Sequence, residues 1–402
     1  MTASEPIPLL WQPLTGPKAR FLWLLAGIGV LAGVYRFFFG LDASTNLSQQ
    51  YPWGIWIIGD VSLIALAAGG FTTAAIVHVF HRERYHAVAR PALITALLGY
   101  TFACVLLAAD LGKYYNIWHP ILPSMWQGNS ALFEVGMCVM CYLTVLYIEF
   151  LPVFCERFIR DARWPRWGRV CGAVHRIATR AMPLVFVLGV GISCLHQSSL
   201  GHVMVLAPTK LHPLWYTPIL SLLFLVSAIM VGFPTVIFVY LCGCWALRLR
   251  PPMAMLGSLA KYVPFLVSIY LAFKIGDMSI RRSHVYLGEA SLQSTTFLLE
   301  VVGGLVLPGV MTLFGRVRSS PRLLGVACAL LMLGVILNRT NVYLIGYRPM
   351  TQSARYTPSL TEWALTIGAV AALCLLWRAI VELFPVISGL RKATSGRLSG
   401  GH

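Results

Sequence analysis

Six ionisable side chains sit inside or at the edges of long apolar runs: Arg36, Asp60, Asp110, Glu134, Glu149 and His196. A charged group in hydrocarbon costs at least ~2.5–3.5 kcal/mol, so each needs a partner or a task. Glu134 and Glu149 share one run, 129–150. Helical rise puts them ~22 Å apart, and the turn angle points them loosely to the same side. Carboxyls in a low-dielectric site have raised pKa values and can hold and release protons near neutral pH. Asp60, Asp110 and Glu134 are candidates for that acid–base work, with Glu134 and Glu149 as a path across the membrane. His196 is a candidate donor to a carbonyl oxygen. Reduction of a quinone needs these parts: protons delivered by acids, and donors to its carbonyls. Trp53 and Trp56, in PWGIWIIGD, offer flat faces to a ring, and Arg36 could neutralise Asp110 beside it. The plainer readings are an interfacial aromatic belt for the tryptophans, a polar helix end for 196–199, and satisfied carboxyls elsewhere.

Other redox groups find fewer ligands. A b-type haem commonly uses a histidine pair on facing helices at one depth. His78, His81, His86 and His175 fall at one set of helix ends, and His196, His202 and His212 at the other. Cys138 and Cys141 lie in mid-run, and Cys242 and Cys244 stand alone, short of the four-ligand sets of clusters or zinc. The expectation is a quinone site with no haem, iron–sulfur cluster or metal in this chain, so electrons must come from clusters on a partner.

These residues must be positioned by membrane-spanning helices. The chain has 402 residues, is 58% hydrophobic and only 11% charged, an integral-membrane composition. Its net charge of +17 does not signal nucleic acid, because the cations lie in short loops between apolar spans. About ten spans are expected, near 20–39, 53–80, 90–112, 129–155, 177–196, 218–246, 258–275, 294–315, 321–338 and 360–384. The first is expected to be retained, since no cleavage signal precedes it. Arg157, Arg160, Arg163, Arg166, Arg169, Arg176 and Arg180 mark one loop as cytoplasmic. Both termini then lie in the cytoplasm. Segments 40–52, 113–128 and 197–217 face outward and would receive a partner. On that map Arg36, Asp60, Asp110, Glu134 and His196 come from five spans yet share the outer third of the membrane.

Lys274, Asp277 and Glu300 repeat this layout faintly in the second half, and SALFEV resembles STTFLLEV. The expected architecture is an all-α transmembrane domain over 1–402. It holds two four-helix bundles, 53–196 with the quinone site and 218–338, with peripheral first and last helices.

The runs PWGIWIIGD, RPALITALLGY, AADLGKYYNIW, NSALFEVGMCV, LHQSSLGHVMV and KLHPLW resemble, in order and spacing, the polysulfide-reductase/NrfD-like family of membrane subunits. The resemblance covers essentially the whole chain. Within the family it is strongest to the Hyb-type membrane subunits of quinone-linked periplasmic nickel–iron hydrogenases. It implies a bacterial inner-membrane subunit with quinone bound near the periplasmic face and no haem of its own. It also implies docking to a periplasmic ferredoxin-like iron–sulfur subunit that serves a catalytic subunit. Asp60 falls where the family places a polar quinone-site residue, Glu134 where it places a proton-handling acid, and His196 opens the His-Gln-Ser segment. Two rival readings are a proton-coupled transporter, for which Pro183, Pro234, Pro264 and Pro308 would mark helix breaks, and a structural anchor that binds no quinone.

Overall fold

Lipid offers no partner to a bare peptide group, so a chain this apolar must satisfy its backbone within helices or a closed barrel. The computed structural model describes residues 16–76, 85–159, 165–350, 355–384 and 386. Among these residues the regular structure is helical, with one isolated bridge between Leu211 and Tyr347. Ten helices among the described residues are long and apolar enough to cross a membrane. They are α1 (Pro17–Phe39), α2 (Ile55–Ala74), α3 (Ala87–Asp110), α4 (Ala131–Ile159), α5 (Pro165–Val205), α6 (Leu220–Ala246), α7 (Met253–Ile280), α8 (Leu292–Leu313), α9 (Pro321–Ile345) and α10 (Leu360–Leu383).

Helices α2 and α6 form the centre. Their apolar windows are 72% and 67% buried, against 22% for α1 and 28% for α10. Helix α6 packs against α2, α3 and α5 on one side and against α7 and α9 on the other. Helices α1 and α10 lie along one another at the edge, and α10 also touches α2 and α3. Exposed Phe21, Trp23, Leu24, Val30 and Leu31 give α1 a lipid-facing surface.

Helix α5 differs from expectation. The span expected at 177–196 ends on His196; the helix instead runs for 41 residues. At ~1.5 Å per residue that is ~60 Å, about twice the hydrocarbon thickness. Its polar stretch does not end the helix because other helices supply partners: Gln197 donates to the Ile64 carbonyl at 2.8 Å, and Ser199 donates to Glu134 at 2.5 Å. Helix α9 likewise continues past 338 to Ile345 through a π-helical turn, Asn341–Ile345. Pro183 and Pro234 lie inside continuous helices.

The arginine-rich ends of α4 and α5 define a basic end of the molecule, where Arg90 and Glu156 pair at 2.6 Å. The opposite end carries the longer connections, including three short 3₁₀ turns between Tyr114 and Met125. His78, His81, Arg160 and Arg163 lie outside the described residues.

Candidate functional site

The first turn of α2 is anchored from α10. The backbone N–H of Ile55 donates to the Tyr356 hydroxyl at 3.1 Å, and the Trp56 indole donates to the Glu362 carbonyl at 3.2 Å. Gly54 permits this approach, because a Cβ there would meet the Tyr356 hydroxyl at 2.8 Å and a Glu362 carboxylate oxygen at 2.9 Å. Glu362 is fully buried and accepts from the Asn46 and Ser359 N–H groups and the Tyr356 hydroxyl. Trp56 is thus enclosed by protein, not spread along an interface. Trp53 is half-buried, with its ring edge-on to Tyr343 at 5.9 Å.

One turn deeper on α2, Asp60 is buried, and its Oδ1 has no hydrogen-bond partner among the described residues. Its charge lies within reach of Tyr100 and Cys104 on α3, Asp110 at the end of α3, and Tyr343 on α9. Tyr100 joins this group to α5: its hydroxyl is 3.2 Å from His196 Nδ1, and both residues are fully buried. The Tyr100 ring stands 4.6 Å from Tyr142, edge to face. Among the described residues His196 Nε2, Gln197 Oε1 and Ser62 Oγ are also buried without partners, while Ser193 lies within hydrogen-bonding reach of Tyr100 and Tyr142.

Glu134 adjoins this group through Ser199, one helical turn beyond His196. Tyr343 donates to the Leu200 carbonyl at 2.8 Å, closing the site from α9. Arg36 is fully buried but makes no ion pair with Asp110. It caps the end of α3 by donating to the Ala109 and Leu111 carbonyls at 2.7 and 2.8 Å. The orphan carbonyls of a helix C-terminus favour a cation there.

Glu149 lies deeper on α4, where a Cβ on Gly189 would come within 3.0 Å of its carboxylate. Tyr142 feels its charge and packs edge to face on Tyr100, so Tyr142 lies between Glu149 and the Tyr100–His196 pair. Thr144 is exposed and bonds back to its own helix at Met140.

Tyr100, Tyr343 and Ser199 were given no role from the sequence alone. Tyr100 stands inside the quoted run RPALITALLGY, and a hydroxyl deep in an apolar run is the signal that identifies it. A second polar cluster was also underestimated. Glu300 on α8 is fully buried and accepts from Lys274, Asn338, Asn341 and Trp215 at 2.5, 2.8, 2.8 and 2.9 Å. Asn338-Arg339-Thr340-Asn341 was read as lying at or beyond a span's end.

Fold and site together describe a multi-pass membrane protein with partnerless polar groups buried near one end. The polysulphide reductase NrfD family matches residues 43–349, and the chain belongs to it. A Nitratidesulfovibrio vulgaris protein is 33% identical over 94% of this chain and 96% of its own length. The probable Ni/Fe-hydrogenase 2 b-type cytochrome subunit of Escherichia coli is 29% identical over 98% of both chains. The menaquinone reductase integral membrane subunit of N. vulgaris is 25% identical over 91% of this chain and 90% of its own.

Proposed function

We propose that this chain is the quinone-binding membrane subunit of an oxidoreductase complex, passing electrons between an iron–sulfur partner and the quinone pool. The observation that carries this reading is the group of buried atoms without partners among the described residues: Asp60 Oδ1, His196 Nε2 and Gln197 Oε1. Buried polar groups nearly always find partners, so this group suits a ligand with its own polar atoms. A quinone fits the donor set, since its two carbonyls accept hydrogen bonds and its reduction consumes protons. The names of the hydrogenase and menaquinone reductase relatives support the class of complex.

In this reading His196 donates from Nε2 to a quinone carbonyl, while Tyr100 fixes the imidazole through Nδ1. Asp60 exchanges a proton at Oδ1, and Glu134, braced by Ser199, exchanges protons at the flank. Arg36 and Asp110 set the charge at the end of α3, and Trp53 borders the ring. Burial among α2, α3, α5 and α9 excludes bulk water, which strengthens each of these interactions. The basic end faces the cytoplasm of a bacterial inner membrane by the positive-inside rule. The site then opens toward the periplasmic half, where segments 40–52, 113–128 and 197–217 receive the ferredoxin-like partner. Glu149, through Tyr142, supplies protons from the cytoplasmic side.

A photoreactive quinone analogue tests the reading. Adducts are expected on α2, α3 and α5 around Asp60, Tyr100 and His196, and excess unlabelled quinone should suppress them. Adducts confined to the lipid-facing surface of α1 or α10 would overturn it.

A further inference from the structure

The second cluster has an unusual charge balance. Lys274, Glu300 and Arg339 are all buried, at 5%, 0% and 0% exposure. Glu300 pairs with Lys274. Arg339 has no acid of its own among the described residues. It lies 3.6 Å over the Phe224 ring and donates to Asn338 Oδ1, Ser227 Oγ and the Phe224 carbonyl. The nearby acid Asp277 is already paired with Arg281 at 2.6 Å. Two cations and one anion leave a single positive charge inside the membrane, and loss of one proton would bring the cluster to neutrality. Arginine does not release a proton at accessible pH, whereas a buried lysine can. Lys274 is therefore the group whose proton loss would balance the cluster, against the hold of its pair with Glu300.

A small cavity adjoins this lysine. It is lined by Lys274, Tyr270 and Asn338 at its inner side and by Thr217, Asp277 and Arg281 toward the loop-rich end. Thr217 donates to Asp277 at 2.7 Å, and Arg281 donates to the Pro213 carbonyl, so the outer lining is polar and its side chains are fixed by named bonds. Glu300 lies within the π-helical stretch Leu299–Val306, and its donor Asn341 begins another, Asn341–Ile345. Such turns occur frequently at functional sites. Arg339 Nε and Asn341 Oδ1 have no partner among the described residues. Tyr343 feels the charge of both Arg339 and Asp60, which places it between this cluster and the first site.

We propose that Lys274 and Glu300 form a second proton-exchange site, connected by this cavity to water at the loop-rich end. In the step, Lys274 Nζ gives one proton to a cavity water and becomes a neutral amine, while Glu300 remains a carboxylate held by its donors Asn338, Asn341 and Trp215, with Arg339 as the remaining cation of the cluster. The return step reprotonates the amine, and no electron moves. Groups facing Lys274 or sharing its charge field are Tyr270, Glu300, Arg339, Tyr343, Asp277 and Arg281.

Two measurements on the intact complex test this. The first is independent of quinone: infrared difference spectra after a pH jump. Wild type is expected to give reversible lysine and carboxylate bands within seconds. Those bands should be absent in Lys274→Arg, which keeps the charge and the ion pair, and in the double variant Lys274→Met/Glu300→Gln, which removes both charges. Bands that persist in both variants, or are missing from wild type, would overturn the proposal. The second rests on the function proposed above: protons moved per electron during quinone turnover in sealed vesicles. Lys274→Arg should at least halve that ratio while turnover with a protonophore stays within twofold of wild type. An unchanged ratio, or turnover lost even with protonophore, counts against proton exchange. Absence of quinone turnover in wild type would refute the first reading alone, and the infrared result would still decide the second.

Discussion

Asp60→Asn separates a working carboxylate from a packing one. Asp60 is 4% exposed, and one oxygen has no donor. A buried polar group left unsatisfied costs about 1–3 kcal/mol, and an ionised one more. The amide is nearly the same size, removes the charge and adds two donors, for which the Tyr100 hydroxyl and backbone carbonyls lie nearby. The variant should therefore be as stable as wild type or more stable by about 1–3 kcal/mol. For a chain longer than 250 residues this is a rise of roughly 1–4 °C in the melting midpoint. Loss of a positioned acid–base group typically lowers rate about 10²–10⁴-fold. The paired expectation is quinone turnover down by that factor, unchanged reduction of a soluble dye at the partner, and a midpoint that does not fall. A thiol-reactive dye reports the melt, because buried Cys138, Cys155, Cys171, Cys244 and Cys328 become reactive on unfolding. A fall in midpoint accompanied by wild-type quinone turnover would refute the reasoning and mark Asp60 as a structural residue.

Lys274→Met alone should destabilise by about 3–5 kcal/mol, because it strands the Glu300 carboxylate, whereas Lys274→Met/Glu300→Gln should be near neutral; the same melt compares them. Burial, with the Arg348 charge, pushes the His212 imidazole down to about 4, and its Nδ1 accepts from the Leu214 N–H at 3.3 Å. The unfolded segment binds the proton more readily, so the native packing is fully stable above about pH 6.5 and weakens as pH falls toward 4. Hydrogen exchange of 206–217 should quicken in that window, and His212→Asn, which keeps an acceptor for Leu214, should remove the dependence. Glu149→Gln should slow proton uptake from the basic-end side at least tenfold in sealed vesicles; unchanged uptake would remove Glu149 from the path. The purified chain should carry no stoichiometric haem, and a b-type band at about one haem per chain in a reduced-minus-oxidised spectrum would contradict this.

The spans were legible because lipid leaves the backbone few choices. Runs near 20 apolar residues with cationic flanks are hard to read otherwise. The side chains between helices were less legible. His196-Gln197-Ser198-Ser199 reads as a helix end in isolation, because its partners are Ile64 on α2 and Glu134 on α4. Trp56 reads as an interfacial ring, because the Glu362 carbonyl that receives its indole lies 306 residues away. Arg36 and Asp110 read as an ion pair on charge alone, whereas the nearest strong acceptors for the guanidinium are the open carbonyls at the end of α3. Asn338 and Arg339 read as the edge of a span because burial of an arginine depends on Phe224 and Ser227 from α6. Long-range partners decide each of these cases, and a single sequence carries no signal of them.

The two buried clusters differ in a way that assigns them different work. Glu300 has four donors, and the groups around it are mostly held by named bonds. Such a network fixes geometry and charge, and it moves protons without moving side chains far. The Asp60–His196 group is the reverse. Among the described residues, buried polar atoms without partners include those of Asp60, Ser62, His196 and Gln197 on α2 and α5. Water does not reach such atoms freely within a membrane, so a chain that keeps Asp60 Oδ1, His196 Nε2 and Gln197 Oε1 unpartnered bears a penalty of several kcal/mol. A ligand with carbonyl oxygens and exchangeable protons would offset it. Glu300, with its four donors, does not need such a ligand. On the functions proposed above, substrate contact belongs to the first cluster and charge balance to the second, and Tyr343 feels the charge of both Asp60 and Arg339.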